Sequence, residues 1–306
     1  MSKNKLYINV IILLLNITLF AQQAPHYTQY MFNTVVINPA YAGARADLTI
    51  GALSRTQWVG IEGAPKTQTF SINARTFNGV GMGFSVIHDE IGLLKSTDIS
   101  FDVSYTLVMG YHQRLALGLK GTYATFTNDL ASGITVDDEV YASLNGHHPN
   151  VGFGMYYYND TFFGGISIPQ LLKTPKFRID GNFQGGITEN TNVFGTFGMR
   201  MDINDNLKFK PSTMVKYTSG LPLSVDVNSN FLYKEWLELG VSYRYNDSVS
   251  GMIAVLPNPN MRIGYAYDYT LSNLGQFNSG THEVMLLFDI DFYKRGRWLN
   301  GQSCYF

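Results

Sequence analysis

Between Arg262 and Phe292 the large apolar side chains recur at every second position, a period that an extended strand satisfies and a helix of 3.6 residues per turn does not. Ile263, Tyr265 and Tyr267 alternate with Arg262, Gly264, Ala266 and Asp268. After a polar link from Leu271 to Gly280, Val284, Leu286, Phe288, Ile290 and Phe292 alternate with Glu283, Met285, Leu287, Asp289 and Asp291. Each run therefore has one oily face and one small or charged face. A soluble sandwich and a membrane barrel both contain such hairpins, so the number and spacing of the copies must decide between them.

The same alternation predicts fourteen strands, over 48–57, 67–77, 79–88, 96–109, 112–126, 148–158, 161–168, 191–203, 206–217, 222–233, 236–245, 249–256, 261–268 and 281–292. An even count, with each strand near the ~9–11 residues that cross a bilayer at a tilt, is what a single-chain outer-membrane barrel requires. In the clearest pair, Ile99, Phe101, Val103, Tyr105 and Leu107 alternate with Asp98, Ser100, Asp102, Ser104 and Thr106, and Leu115, Leu117, Leu119 and Tyr123 with Ala116, Gly118, Lys120 and Thr122. Aspartates against hydrocarbon cost several kcal/mol each, so the polar set must face an interior that is wet or filled by paired side chains.

Connection lengths add an independent constraint. Counted from a periplasmic start, the even connections are short turns: Asn78, Gly110-Tyr111, Asn159-Asp160, Asn204-Asp205, Lys234-Glu235 and Pro257 to Asn260. The odd ones include the longer stretches Asp89 to Lys95, Thr127 to His147, Pro169 to Asn190 and Tyr269 to Gly280. Outer-membrane barrels keep this asymmetry, with short periplasmic turns and long external loops. The expected fold is thus all-β, a transmembrane outer-membrane β-barrel of about 14 antiparallel strands in meander order over residues 48–292. A periplasmic leader or plug (22–47) precedes it and a basic tail (293–306) follows.

Export fits this fold. Lys3 and Lys5, an apolar stretch from Ile8 to Phe20 and the small Ala21 read as a signal peptide over residues 1–21. Its removal leaves 20 basic against 23 acidic residues, a balance that points away from nucleic acid. Cys304 is the only cysteine, so an exported chain must reach stability without an internal disulfide, as a closed barrel can. No mature run is long and apolar enough for a transmembrane helix.

Catalytic and metal chemistry find little support. His88-Asp89 and His282-Glu283 set histidine beside acid, with Ser279 nearby, but there is no nucleophile elbow, and strand neighbours face opposite ways. Asp129, Asp137, Asp138 and Glu139 make one loop acidic without the spacing of a calcium loop, and His147-His148 lacks a third ligand. No enzyme activity, metal or cofactor is expected. Trp58, with Gly60, Gly63 and Pro65 after it, lies at the first external bend and suits anchoring at the aromatic belt.

Several motifs resemble those of a known family. His26-Tyr27-Thr28-Gln29-Tyr30-Met31-Phe32-Asn33 followed by Ile37-Asn38-Pro39-Ala40-Tyr41-Ala42-Gly43 is similar to the opening of the PorP/SprF proteins of Bacteroidetes type IX secretion and gliding. Arg55-Thr56-Gln57-Trp58-Val59-Gly60, Asp89-Glu90-Ile91-Gly92, Lys210-Pro211-Ser212, Arg262-Ile263-Gly264-Tyr265-Ala266-Tyr267-Asp268 and Thr281-His282-Glu283 extend the resemblance over about residues 26–292. It implies an outer-membrane barrel without known catalysis, working beside secretion and motility components. The leading expectation is a platform that docks, and helps export or retain, a secreted substrate such as a large gliding adhesin through its C-terminal sorting domain. One alternative is a core component linking the outer membrane to a periplasmic ring and a peptidoglycan-binding protein; another is a passive or gated channel for small solutes or lipids. Membrane lipid is the other expected partner. The residues expected to meet a partner are Trp58, Glu62, Asp89, Glu90, Asp137 and Asp138 outside, and Tyr30, Phe32, Asn38, Tyr41 and Arg45 on the periplasmic side.

Overall fold

The computed structural model describes residues 26–128, 144–172, 174–175, 188–189 and 191–292. Its frame is a ring of fourteen strands: β1 Leu48–Thr56, β2 Lys66–Arg75, β3 Val80–Ile91, β4 Leu94–Val108, β5 Arg114–Asn128, β6 Leu144–Tyr158, β7 Phe162–Ile168, β8 Asn192–Met199, β9 Leu207–Thr218, β10 Ser224–Tyr233, β11 Leu237–Arg244, β12 Ser248–Asn258, β13 Met261–Thr270 and β14 Thr281–Ile290. Met201–Asn204 continues β8 past Arg200 and keeps pairing with β9. Every strand pairs antiparallel with its sequence neighbour, and β14 returns to β1 in register from Leu48↔Ile290 to Thr56↔His282. Closure leaves no strand edge to present unpaired backbone groups to lipid.

All fourteen predicted segments are strands, with ends shifted by a few residues. One connection differs from its expectation. Asp89 and Glu90 do not open a loop: β3 and β4 run on as a hairpin through Ile91↔Leu94, and only Gly92 and Leu93 form the turn. Cross-strand bonding holds the extension, with Lys95 3.1 Å from the Glu90 carboxylate and the Thr67 hydroxyl donating to Asp89. Of the other predicted long connections, the described one, 271–280, stays long and lies at the same end of the barrel as the nine-residue connection 57–65. Residues 129–143 and most of 169–191 lie outside the described residues.

The two faces separate as the alternation requires. Ile99, Phe101, Val103, Tyr105, Tyr265, Val284 and Phe288 point outward and are exposed, while Asp102, Lys120, Asp268 and Glu283 are buried inside. Among the described residues no helix is long and apolar enough to cross a membrane, so strands make every described crossing.

The interior is filled by the chain's own leader. Apart from His26, every residue from Tyr27 to Ala46 is buried, in three single turns over Tyr30–Phe32, Thr34–Ile37 and Pro39–Tyr41. The Asn38 side chain starts the third turn by accepting from the Ala40 N–H at 3.0 Å, and Pro39, which has no N–H, fits the first position. The path descends the lumen from the long-loop end. Thr28 meets Asp268 and Glu283 near the long-loop ends of β13 and β14, Asn38 donates to the Met155 carbonyl, Ser104 donates to the Ala42 carbonyl, and Arg45 meets Asp289 at the short-turn end. Inward-facing Gly118 makes room for this path: a Cβ there would stand 2.3 Å from the Ala40 nitrogen.

Candidate functional site

The first loop, residues 57–65, is tied to its neighbours through the backbone. Gln57 N–H donates to the Pro65 carbonyl, Val59 N–H to Gly280, Ser279 N–H to Val59 and Gly92 N–H to Gly63, all between 2.7 and 2.9 Å. Trp58 N–H adds a contact to the Thr281 hydroxyl at 3.2 Å. Gly63 sits at φ +72°, where a Cβ would come 3.2 Å from the Gly92 Cα, so this contact needs glycine for both conformation and space. Three connections that are distant in sequence therefore make one stiff face. It exposes Glu62, Leu93, Leu271 and Phe277.

Of the residues expected to meet a partner outside, Trp58 and Glu62 lie in this face, Trp58 half-buried with φ +46°. Asp89 and Glu90 stand just below it, in the last rungs of β3. Asp137 and Asp138 lie outside the described residues.

Directly under the pinned loop a buried node holds the leader. The Arg55 guanidinium bonds Asp268 at 2.8 Å and Glu283 at 2.9 Å, and also donates to the Thr28 hydroxyl at 2.9 Å. That hydroxyl donates in turn to Asp268. The two Glu283 oxygens accept the backbone N–H groups of Thr28 and Gln29 at 3.0 and 2.8 Å. Two carboxylates against one guanidinium would leave a buried excess of negative charge. The hydroxyl and the two N–H dipoles offset it, as buried charges require.

Further charged groups line the leader's path. Glu238 is bonded by Lys210 at 3.1 Å and by Arg262, and both cations lie over the Phe32 ring, Arg262 Cζ 4.3 Å from its centroid. Arg244 and His26 each approach Asp226 at 2.7 Å, Lys120 pairs with Asp102 at 3.1 Å, and Arg45 pairs with Asp289 at 2.7 Å. The lumen is thus closed by ion pairs and leader rather than by apolar packing alone.

This arrangement corrects one expectation. Tyr30, Phe32, Asn38, Tyr41 and Arg45 are all buried inside the barrel, so they face its wall and not the periplasm. Tyr30 accepts from Asn228 and donates to Ser212, Tyr41 packs edge-on against Tyr156, and Arg45 closes the short-turn end on Asp289. The residues missed were Arg55, Asp268, Glu283, Glu238 and Arg262. Their inward parity was readable, since charge on the polar face of a lipid-spanning strand needs a partner. His282 faces outward as its parity predicts, bonded to the Tyr265 hydroxyl at 2.7 Å.

Comparison with known proteins adds a family. The sequence model described as type IX secretion system membrane protein PorP/SprF matches residues 19–288. No curated protein sequence matches. Among solved structures, the CymD monoaromatic hydrocarbon channel superposes with a TM-score of 0.50 at 11% identity, covering 85% of this chain and 99% of its own. The outer membrane protein Omp33 of Acinetobacter baumannii gives 0.47 at 10% identity, covering 81% and 100%. At such identity the CymD likeness concerns the barrel fold alone.

Proposed function

We propose, from the premise that the chain belongs to the PorP/SprF family of type IX secretion system membrane proteins, that it is a docking platform for an exported polypeptide. As a barrel of the outer membrane in that system, it presents the pinned loop face to a secreted substrate, such as the sorting domain of a large adhesin. What supports this is the stiffness of that face, three connections held in register by backbone hydrogen bonds above a filled lumen. A landing surface that is already ordered loses little conformational freedom when a partner arrives. The filled lumen favours docking over a channel for small solutes.

Photo-crosslinking tests the reading. A photoreactive residue placed at Glu62 or Phe277 in intact cells is expected to trap an exported polypeptide, and Gly63→Val, which unpins the loop, to lower the yield by about tenfold, the equivalent of ~1.4 kcal/mol of lost pre-organisation. Capture of no polypeptide at either position would refute the platform. Planar-bilayer recordings test the channel: no current is expected from the whole protein, whose lumen the leader fills, whereas deletion of residues 22–47 empties the lumen and is expected to conduct. A conductance from the whole protein would favour a gated pore.

A further inference from the structure

Outside the barrel, below the pinned loops, the wall is indented. Along β1 the outward side chains are small, Ala52 and Ser54, and larger ones rise on both sides, Phe70 and Val86 on β2 and β3, Val284 and Leu286 on β14. The result is an open groove of about 440 Å³ whose exposed lining is mainly apolar, with Ser54, Gln68, Thr69 and His88 also on its walls. The rungs Ala52↔Leu286 and Ala52↔Phe70 place it on the oily outer face, where the established neighbour of the wall is bilayer hydrocarbon.

One rung higher, toward the long-loop end, the outward positions become charged. Lys66, Glu90 and Lys95 are cross-strand neighbours on three consecutive strands. Glu90 is engaged by Lys95 at 3.1 Å and by His88 at 3.4 Å, whereas exposed Lys66 has no ion pair among the described residues. With two cations and one carboxylate, the rung carries a net positive charge, and Lys66 stands two residues from Gln68, which helps line the groove. Side chains two apart on a strand share a face, so the Lys66 ammonium overlooks the groove's upper opening.

A mainly apolar trough in the hydrocarbon layer, under an ammonium with no ion pair among the described residues, matches a molecule with an oily chain and an anionic head. We propose that the groove seats one acyl chain of a phosphate-bearing lipid from the leaflet at the long-loop end, with the phosphate over Lys66. The small side chains of Ala52 and Ser54 set the depth of the seat. The lysine stem lies along the wall while its charged end reaches the headgroup level.

Native mass spectrometry and phosphorus assay of the full-length protein, purified from outer membranes in mild detergent, test this. Wild type is expected to retain about one phosphorylated lipid per barrel, held against exchange with detergent by the fit of the chain to the trough and the phosphate contact with Lys66. Ala52→Phe, which fills the trough from its lipid-facing side, is expected to lower that occupancy at least about tenfold, and Lys66→Glu to lower it severalfold with the trough intact. Val151→Phe, on the outward face of β6, serves as a control expected to keep the lipid. Heat-modifiable gel mobility shows that each variant is folded. The proposal is overturned if wild type carries no lipid, if Ala52→Phe retains as much as wild type, or if a photoreactive residue at Ser54 traps a polypeptide instead of a lipid.

Discussion

Glu283→Ala is expected to release the leader from the long-loop end of the lumen. The carboxylate it removes accepts two leader N–H groups and one arm of Arg55, and no oxygen of alanine replaces them. Arg55 keeps its contact with Asp268, so the cost falls on the two leader N–H groups left buried without an acceptor, about 1–3 kcal/mol each. At ~1.4 kcal/mol per decade the open state gains about two orders of magnitude. A Val36→Cys probe, buried on the leader, reads this out in a Cys304→Ser background, where it is the only thiol. Its labelling by a soluble maleimide is expected to accelerate about a hundredfold, with Glu283→Gln falling between, since an amide oxygen still accepts. An unchanged labelling rate would show that the node does not hold the leader.

Gly118→Val is expected to push the leader off the wall lower down while the barrel itself still closes. Its Cβ would stand 2.3 Å from the Ala40 nitrogen and 2.4 Å from the Pro39 carbonyl carbon, and backbone cannot yield as a flexible side chain does. Overpacking of this kind costs about 1–3 kcal/mol or more. Gly121→Val, three residues along the same strand, is the matched comparison. It faces outward, meets nothing within 4 Å and replaces glycine with a good strand former, so it is expected to be neutral or slightly stabilising. Thermal melts of the two purified variants separate the cases. Equal melting temperatures and equal Val36→Cys protection would remove the wall glycine from any role in seating the leader.

The strands themselves were legible because a two-residue period is local. Ile99 and Phe101 report their own facing without knowledge of the rest of the chain, and Asp102 and Asp268 were correctly assigned to the interior on the desolvation argument alone. The β3–β4 turn was not legible to the same degree. Asp89 and Glu90 are polar and look like loop, and only pairing with Thr67 and Lys95 on neighbouring strands keeps them in the ladder. Buried Tyr30 and Arg45 were misplaced for a related reason. Residues 22–47 were expected as a periplasmic leader or plug, and an aperiodic segment carries no local mark that decides between the two, since contacts such as Thr28 with Glu283 and Ala42 with Ser104 come from strands far away in sequence.

Period and parity, properties of neighbouring residues, were enough to establish from the sequence a closed ring of fourteen two-faced strands with one loop-rich end. Only the tertiary structure decided that Arg55, Asp268 and Glu283 meet Thr28, because each lies on a different strand and their contact depends on the register of β13, β14 and β1 around the closed wall. That closure encloses a lumen which water or protein could fill, and here residues 27–46 fill it, Thr28 and Gln29 meeting the inward carboxylate of Glu283.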